Sequence, residues 1–148
     1  MKKLKIAIFV LFVTIVSNNG FGQARIGVKL NEISKEFSEK EYPKRNTGKI
    51  DGIGYWFYVK TEIGNLAYYT NNDSICYLTQ LIPINDSVFN HLIDVYNEDS
   101  KKISKTSWVI YTDGYAYGTL INLIDNPTSL IFQKRGKYFE YTQIKHEK

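Results

Sequence analysis

Apolar residues recur at helical spacing in two parts of the chain. In residues 85–98, a broad apolar stripe follows Asn85, Asp86 and Ser87, whose side-chain oxygens suit the N-cap of a helix. In the first part, the apolar positions are spaced four, three and four residues apart: Ile26, Leu30, Ile33 and Phe37. This pattern predicts two helices, the first of them ended before Pro43.

Elsewhere the hydrophobic period falls to two, which indicates β-strands. The polar, glycine-containing stretch 44–54 between the first helix and the first strand is predicted to be a loop. Three strands are predicted before the second helix and four after it: residues 53–61, 66–70, 74–82, 106–112, 115–124, 129–133 and 138–144.

Short turn signals separate most of these strands. Gly64-Asn65 and residues 71–73 are predicted turns, and Asp113-Gly114 is the strongest hairpin signal in the chain. Short turns imply antiparallel neighbours, whereas a parallel sheet would need alternating strand and helix units. We therefore expect an α+β fold of order α-βββ-α-ββββ: a mainly antiparallel sheet of about six or seven strands, with two helices packed on one face.

The N-terminus has the layout of a secretory signal peptide. Lys2, Lys3 and Lys5 precede an apolar run of 11 residues at 6–16, and Gly22-Gln23-Ala24 places small residues before a cut after Ala24. The run is well short of the roughly 20 residues of a membrane-spanning helix. Alternatives are a buried helix or an uncleaved anchor. We expect a signal peptide at residues 1–24 and one domain at 25–148, exported to a bacterial periplasm or the extracellular space without a stable membrane span.

Removal of the signal changes the charge of the chain. The whole sequence has 19 Lys and Arg against 15 Asp and Glu, and three of those lysines lie in the signal, so the mature chain carries only +1. The densest basic clusters, residues 101–105 and 134–137, are predicted to lie at a helix end and in a turn. Because binding to nucleic-acid phosphates rests on a concentrated basic face, we expect no nucleic-acid partner.

Few residues suggest catalysis or metal binding. Cys76 lies alone in an apolar strand, where a cysteine usually behaves as a small buried hydrophobe. His91 lies within the second predicted helix and His146 in the charged tail, which we expect to be frayed; neither has a second ligand at metal spacing. We expect no catalytic residue, metal or cofactor, although a small secreted hydrolase with a non-obvious site remains an alternative.

The sequence is unusually rich in aromatic residues, with 12 Tyr, 8 Phe and 2 Trp. Tyrosine suits recognition surfaces because its rigid ring gives contact area and its hydroxyl gives direction. Cross-strand pairing that only stabilises the sheet is the alternative explanation. We expect a non-catalytic binding module, such as an inhibitor or immunity-like protein, whose aromatic sheet face binds a protein, peptide or glycan through Trp56, Tyr58 and Tyr69. An envelope structural protein without a ligand is a further alternative.

Overall fold

The computed structural model of the chain describes residues 24–111, 114, 116–125 and 136–146. Within these residues the elements follow the order α-ββββ-α-ββββ, with eight strands where the sequence predicts six or seven. The helices are α1 (Leu30–Glu36) and α2 (Asp86–Asp99). The strands are β1 (Arg45–Ile50), β2 (Gly54–Lys60), β3 (Gly64–Thr70), β4 (Cys76–Pro83), β5 (Lys101–Ser104), β6 (Ser107–Tyr111), β7 (Tyr117–Asp125) and β8 (Lys137–Lys145).

All of these strands form one antiparallel sheet in the order β1-β2-β3-β4-β8-β7-β6-β5. The fold consists of two α-ββββ units. Their strands join into one sheet where β4 pairs with β8. Corresponding elements begin at nearly constant separation: Leu30 and Asp86 start the two helices, and Arg45 and Lys101 start the first strand of each unit. The fold therefore has an internal repeat that the side chains do not reveal.

Both helices pack on the same face of this sheet, which we call the helix face. Phe37, just after α1, contacts the rings of Phe57 and Tyr68, with centroids 6.1 Å away in each case. From α2, Tyr96 meets the ring of Phe139 edge-on at 5.3 Å. These contacts belong to one hydrophobic core, so the α+β architecture with an antiparallel sheet is confirmed.

The first helix is shorter than the sequence predicts, because residues 24–29 pair with the start of β4 instead. The amide of Gly27 donates to the carbonyl of Cys76 at 2.8 Å, and the amide of Cys76 donates to the carbonyl of Val28 at 2.9 Å. Gly27 also has φ +84°, which no helix residue adopts. The spacing of apolar residues does not distinguish a longer helix from this extended segment, because Ile26 would be buried in both.

Two predicted non-strand segments are edge strands. Residues 45–50 of the predicted loop form β1, which pairs with β2, and Lys101 and Lys102 lie in β5 rather than at the end of α2. No position in either strand is buried. Neither therefore carries the apolar alternation that marks a half-buried strand.

The strand after the first hairpin begins earlier than predicted. Gly64 and Asn65 are strand residues, and a Cβ added at Gly64 would lie 2.1 Å from the carbonyl oxygen of Ile82, so only glycine fits there. The predicted Asp113-Gly114 turn is described only at Gly114, which has φ +82°. The predicted strand at 129–133 and the signal peptide before Ala24 lie outside the described residues.

Thr119 generates a stability prediction. Its side chain is 4% exposed on the helix face, and its hydroxyl is the one buried side-chain polar atom without a hydrogen-bond partner among the described residues. Thr119→Val removes this hydroxyl, so we expect the free energy of unfolding in urea to rise by about 1 kcal/mol. Thr79→Val is the matched control: Thr79 donates to the carbonyl of Ala24, so its loss lowers stability. A less stable Thr119→Val protein would contradict the description of this site.

The buried tyrosine pair predicts alkaline sensitivity. The Tyr96 and Tyr141 hydroxyls lie 2.5 Å apart, and burial raises the pKa of both above the usual value near 10. The folded chain thus keeps protons that the unfolded chain releases, and the free energy of unfolding falls as the pH rises above about 10. We expect a shallower fall in Tyr141→Phe than in wild type, and no change in the exposed control Tyr77→Phe. Equal slopes in urea titrations of wild type and Tyr141→Phe from pH 8 to 11 would refute this prediction.

Candidate binding face

The sheet face opposite both helices carries the candidate site. We call it the second face and define it by six side chains: Trp56, Tyr58, Tyr69, Gln80, Tyr138 and Glu140. The register places Trp56 beside Tyr69, and Gln80 beside Glu140. Tyr69 and Tyr138 are buried but lie outside the core cluster on which the helices pack, which is consistent with the alternation of strand side chains.

Trp56 lies half-buried on this face against the edge strand. It pairs with Gly48 of β1, and a Cβ added at Gly48 would lie 2.5 Å from carbon atoms of the indole. The absence of a side chain at Gly48 therefore lets the ring rest on the backbone of β1. A similar contact occurs in the second unit, where a Cβ on Gly118 of β7 would lie 2.6 Å from the ring of Tyr111 on β6.

The two predicted tyrosines on the second face differ in exposure. Tyr58 is half-buried, and its hydroxyl donates to Oδ1 of Asn65 at 3.2 Å; burial raises its pKa. Tyr69 is only 4% exposed, and its hydroxyl donates to Oε1 of Gln80 at 2.9 Å. Trp56 and Tyr58 thus present ring surface, whereas Tyr69 supports the polar groups beside it.

A polar network at the centre of the second face connects three strands. Nε2 of Gln80 donates to Oε1 of Glu140 at 3.1 Å, and the Tyr138 hydroxyl donates to the same oxygen at 2.9 Å. Burial, followed by the proximity of Glu140, raises the pKa of Tyr138, so this hydroxyl remains a proton donor at neutral pH. The sequence did not reveal this network, because Gln80 and Glu140 meet only through the pairing of β4 with β8.

Glu140 carries the charge of this network. It is half-buried, and it alternates along β8 with Phe139 and Tyr141, which are buried on the helix face. Its two hydrogen-bond donors are both neutral, and no lysine or arginine in the described part of the chain lies within ion-pair distance of it. The second face therefore has one negative charge in a surface of rings and amides.

Cys76 and His91, whose side chains could in principle act in catalysis or bind a metal, lie away from this face. Cys76 is 1% exposed in the core, and burial raises the pKa of its thiol to about 11. His91 is exposed on α2, across the sheet. His146 stacks on the ring of Tyr111 at 4.2 Å, near the end of β8. Among the described residues, no group of three His, Cys, Asp or Glu side chains is placed to hold a metal ion.

An open groove of about 630 Å³ lies elsewhere, between α1 and the first two strands. Phe57 and Arg45 are among the residues that line it. Arg45 already donates to the carbonyls of Ser34, at 3.1 Å, and Phe37, and it forms an ion pair with Glu39 at 3.2 Å. This arginine therefore ties α1 to the sheet, and the other basic side chain that lines the groove is the exposed Lys29.

Comparisons with known proteins give no relative: no family model, no curated protein and no solved structure matches this chain. The helices of the described residues include none that is long and apolar enough to cross a bilayer.

The state of Cys76 predicts its reactivity. Only the thiolate reacts with a disulfide reagent, and both burial and the raised pKa suppress the thiolate in the folded chain. We expect no reaction with Ellman's reagent at pH 8 until guanidinium unfolds the protein, when one thiol per chain reacts. Rapid reaction of the native protein, compared with a Cys76→Ser control, would show that the thiol is accessible.

Proposed function

We propose that this chain is an exported, non-catalytic binding module that docks a folded protein on its second face. The observation that carries the proposal is the pair of half-buried rings, Trp56 and Tyr58, on the same face as the partly buried network of Glu140. Partly exposed aromatic side chains next to satisfied polar groups are typical of the energetic centre of a protein interface.

The dimensions of the sheet favour a macromolecular partner. Eight strands spaced about 4.8 Å apart span about 34 Å, and strands of seven to nine residues reach about 25 Å. The outline of the face is therefore on the order of 800 Å², similar to the area that each side contributes to a standard protein–protein interface. A short peptide or a single sugar would cover only a part of it.

The distribution of charge also favours a protein partner. Interfaces exclude most charged residues from their centre and keep them at the rim. Lys60 is exposed near the end of β2, while the centre holds Glu140 alone with its neutral donors. A lysine or arginine of the partner would give this carboxylate the charge-assisted hydrogen bond that the described residues do not supply.

Export rests on the signal layout of residues 1–24, and it places the protein in a bacterial periplasm or outside the cell. There, a module that covers part of another protein acts as an inhibitor or immunity-like factor when the covered surface includes the partner's active site. The small secreted hydrolase remains the competing function, but no observation favours it: Cys76 is buried, and His91 lies on the opposite side of the sheet.

Trp56 provides the test of the proposal. Immobilised wild-type protein, Trp56→Ala and the exposed-tyrosine control Tyr117→Ala are incubated with native envelope extract and culture fluid, and the captured protein is purified for calorimetry. We expect wild type and Tyr117→Ala to bind it with equal affinity, and Trp56→Ala to bind at least tenfold more weakly, which corresponds to about 1.4 kcal/mol.

A second variant tests whether binding depends on the position of the Trp56 ring as well as on its presence. Gly48→Ala retains the indole but forces it off β1, so we expect weakened binding with an unchanged far-ultraviolet spectrum. The urea midpoint of each variant reports whether it still folds. Equal affinity of all four proteins, or capture of a glycan without any protein, would overturn the proposed function.

A further inference from the structure

The segment of residues 24–29 is an integral part of the folded domain. The guanidinium of Arg25 forms an ion pair with Glu36 of α1 at 2.7 Å, and Ile26 is buried in the core. Gly27 and Val28 exchange backbone hydrogen bonds with Cys76, and Lys29 forms a β-bridge with Ile75. This segment thus fastens α1 to the start of β4.

Ala24 is the first residue of this segment and is itself buried. It is 2% exposed and belongs to the hydrophobic core. Its carbonyl oxygen accepts hydrogen bonds from the hydroxyl of Thr79 and from the thiol of Cys76, the latter at 3.8 Å. Thr79 is fully buried, so without Ala24 its hydroxyl would lose this acceptor in a place that water does not reach.

A cut after Ala24 would also place a new charge at the margin of the core. The mature chain would begin with the α-ammonium of Arg25, beside the buried Thr79 and Cys76. Burying a charge without a partner costs more than burying a peptide group that is hydrogen-bonded. The folded structure is therefore more stable when the chain begins before Ala24.

The sequence contains a second possible cleavage site for a signal peptidase. A signal peptidase requires small residues three before and one before the cut. Gly22 and Ala24 meet this requirement for a cut after Ala24, and Gly20 and Gly22 meet it for a cut after Gly22. Because the peptidase reads the unfolded chain, its rule admits both cuts, and only the second product keeps the contacts of Ala24.

We infer that the leader is removed between Gly22 and Gln23, two residues before the cut after Ala24 that the sequence analysis predicts. The inference rests on the proposed export. In this step water attacks the carbonyl carbon of Gly22 and the C–N bond to Gln23 breaks, which leaves a carboxylate on Gly22 and an ammonium on Gln23. The free α-amine of Gln23 then has its own side-chain amide within reach; attack on Cδ expels ammonia and closes a neutral lactam.

Intact-mass measurement and N-terminal sequencing of the exported protein test the inference. We expect a chain that begins at Gln23, either as free glutamine or as the lactam that lacks one ammonia. A chain that begins at Arg25 would overturn the inferred cut while leaving export intact. A chain that retains residues 1–22 would overturn the inferred cut, whereas recovery of the protein only from the cytoplasm would overturn the proposed export.

Two further measurements test the stabilising role of Ala24 and the position of the cut. Chains that begin at Gln23, Ala24 and Arg25, each released from a cleavable fusion, are unfolded in urea. We expect the highest midpoint for the chain that begins at Gln23 and the lowest for the chain that begins at Arg25; equal midpoints for all three would refute the role of Ala24. In the exporting cell, Gly22→Gln should abolish the product that begins at Gln23, whereas persistence of that product would contradict the inferred site.

Discussion

The pairing of β4 with β8 is the constraint on which the rest of the structure depends. It joins two α-ββββ units into one sheet through the register that sets Leu78 beside Thr142 and Leu81 beside Phe139. On the helix face this register places Phe139 under α2 and completes a single core. On the second face it brings Gln80 to Glu140, so the same strand contact builds both the core and the proposed binding surface.

The two faces of the sheet use their buried tyrosines in different ways. A buried tyrosine is stable only when its hydroxyl has a partner. On the helix face Tyr96 and Tyr141 satisfy each other, which produces a closed pair within the core. On the second face the hydroxyls of Tyr69 and Tyr138 instead hold Gln80 and Glu140, and this orients amide and carboxylate groups at a surface.

Much of this fold follows from local patterns, and the exceptions have identifiable physical causes. Period-two alternation and hairpin register suffice to put Trp56 and Tyr69 on one face, and the N-cap at Asn85 marks the start of α2. Edge strands β1 and β5 escape prediction because neither has a buried side. The contact of Gln80 with Glu140 joins strands from opposite halves of the chain, so no local signal reports it. The difference in exposure between Tyr58 and Tyr69 depends in the same way on neighbours that only the folded sheet supplies.

Solution NMR of the uniformly labelled protein tests the pairing of β4 with β8 most directly. The account predicts cross-strand proton contacts between Leu78 and Thr142 and between Leu81 and Phe139, together with slow amide exchange in both strands. It also predicts that the side-chain amide of Gln80 shifts when Glu140 is replaced by glutamine. Contacts that pair β4 with any strand other than β3 and β8, or a Gln80 amide that does not respond to the change at Glu140, would contradict the account.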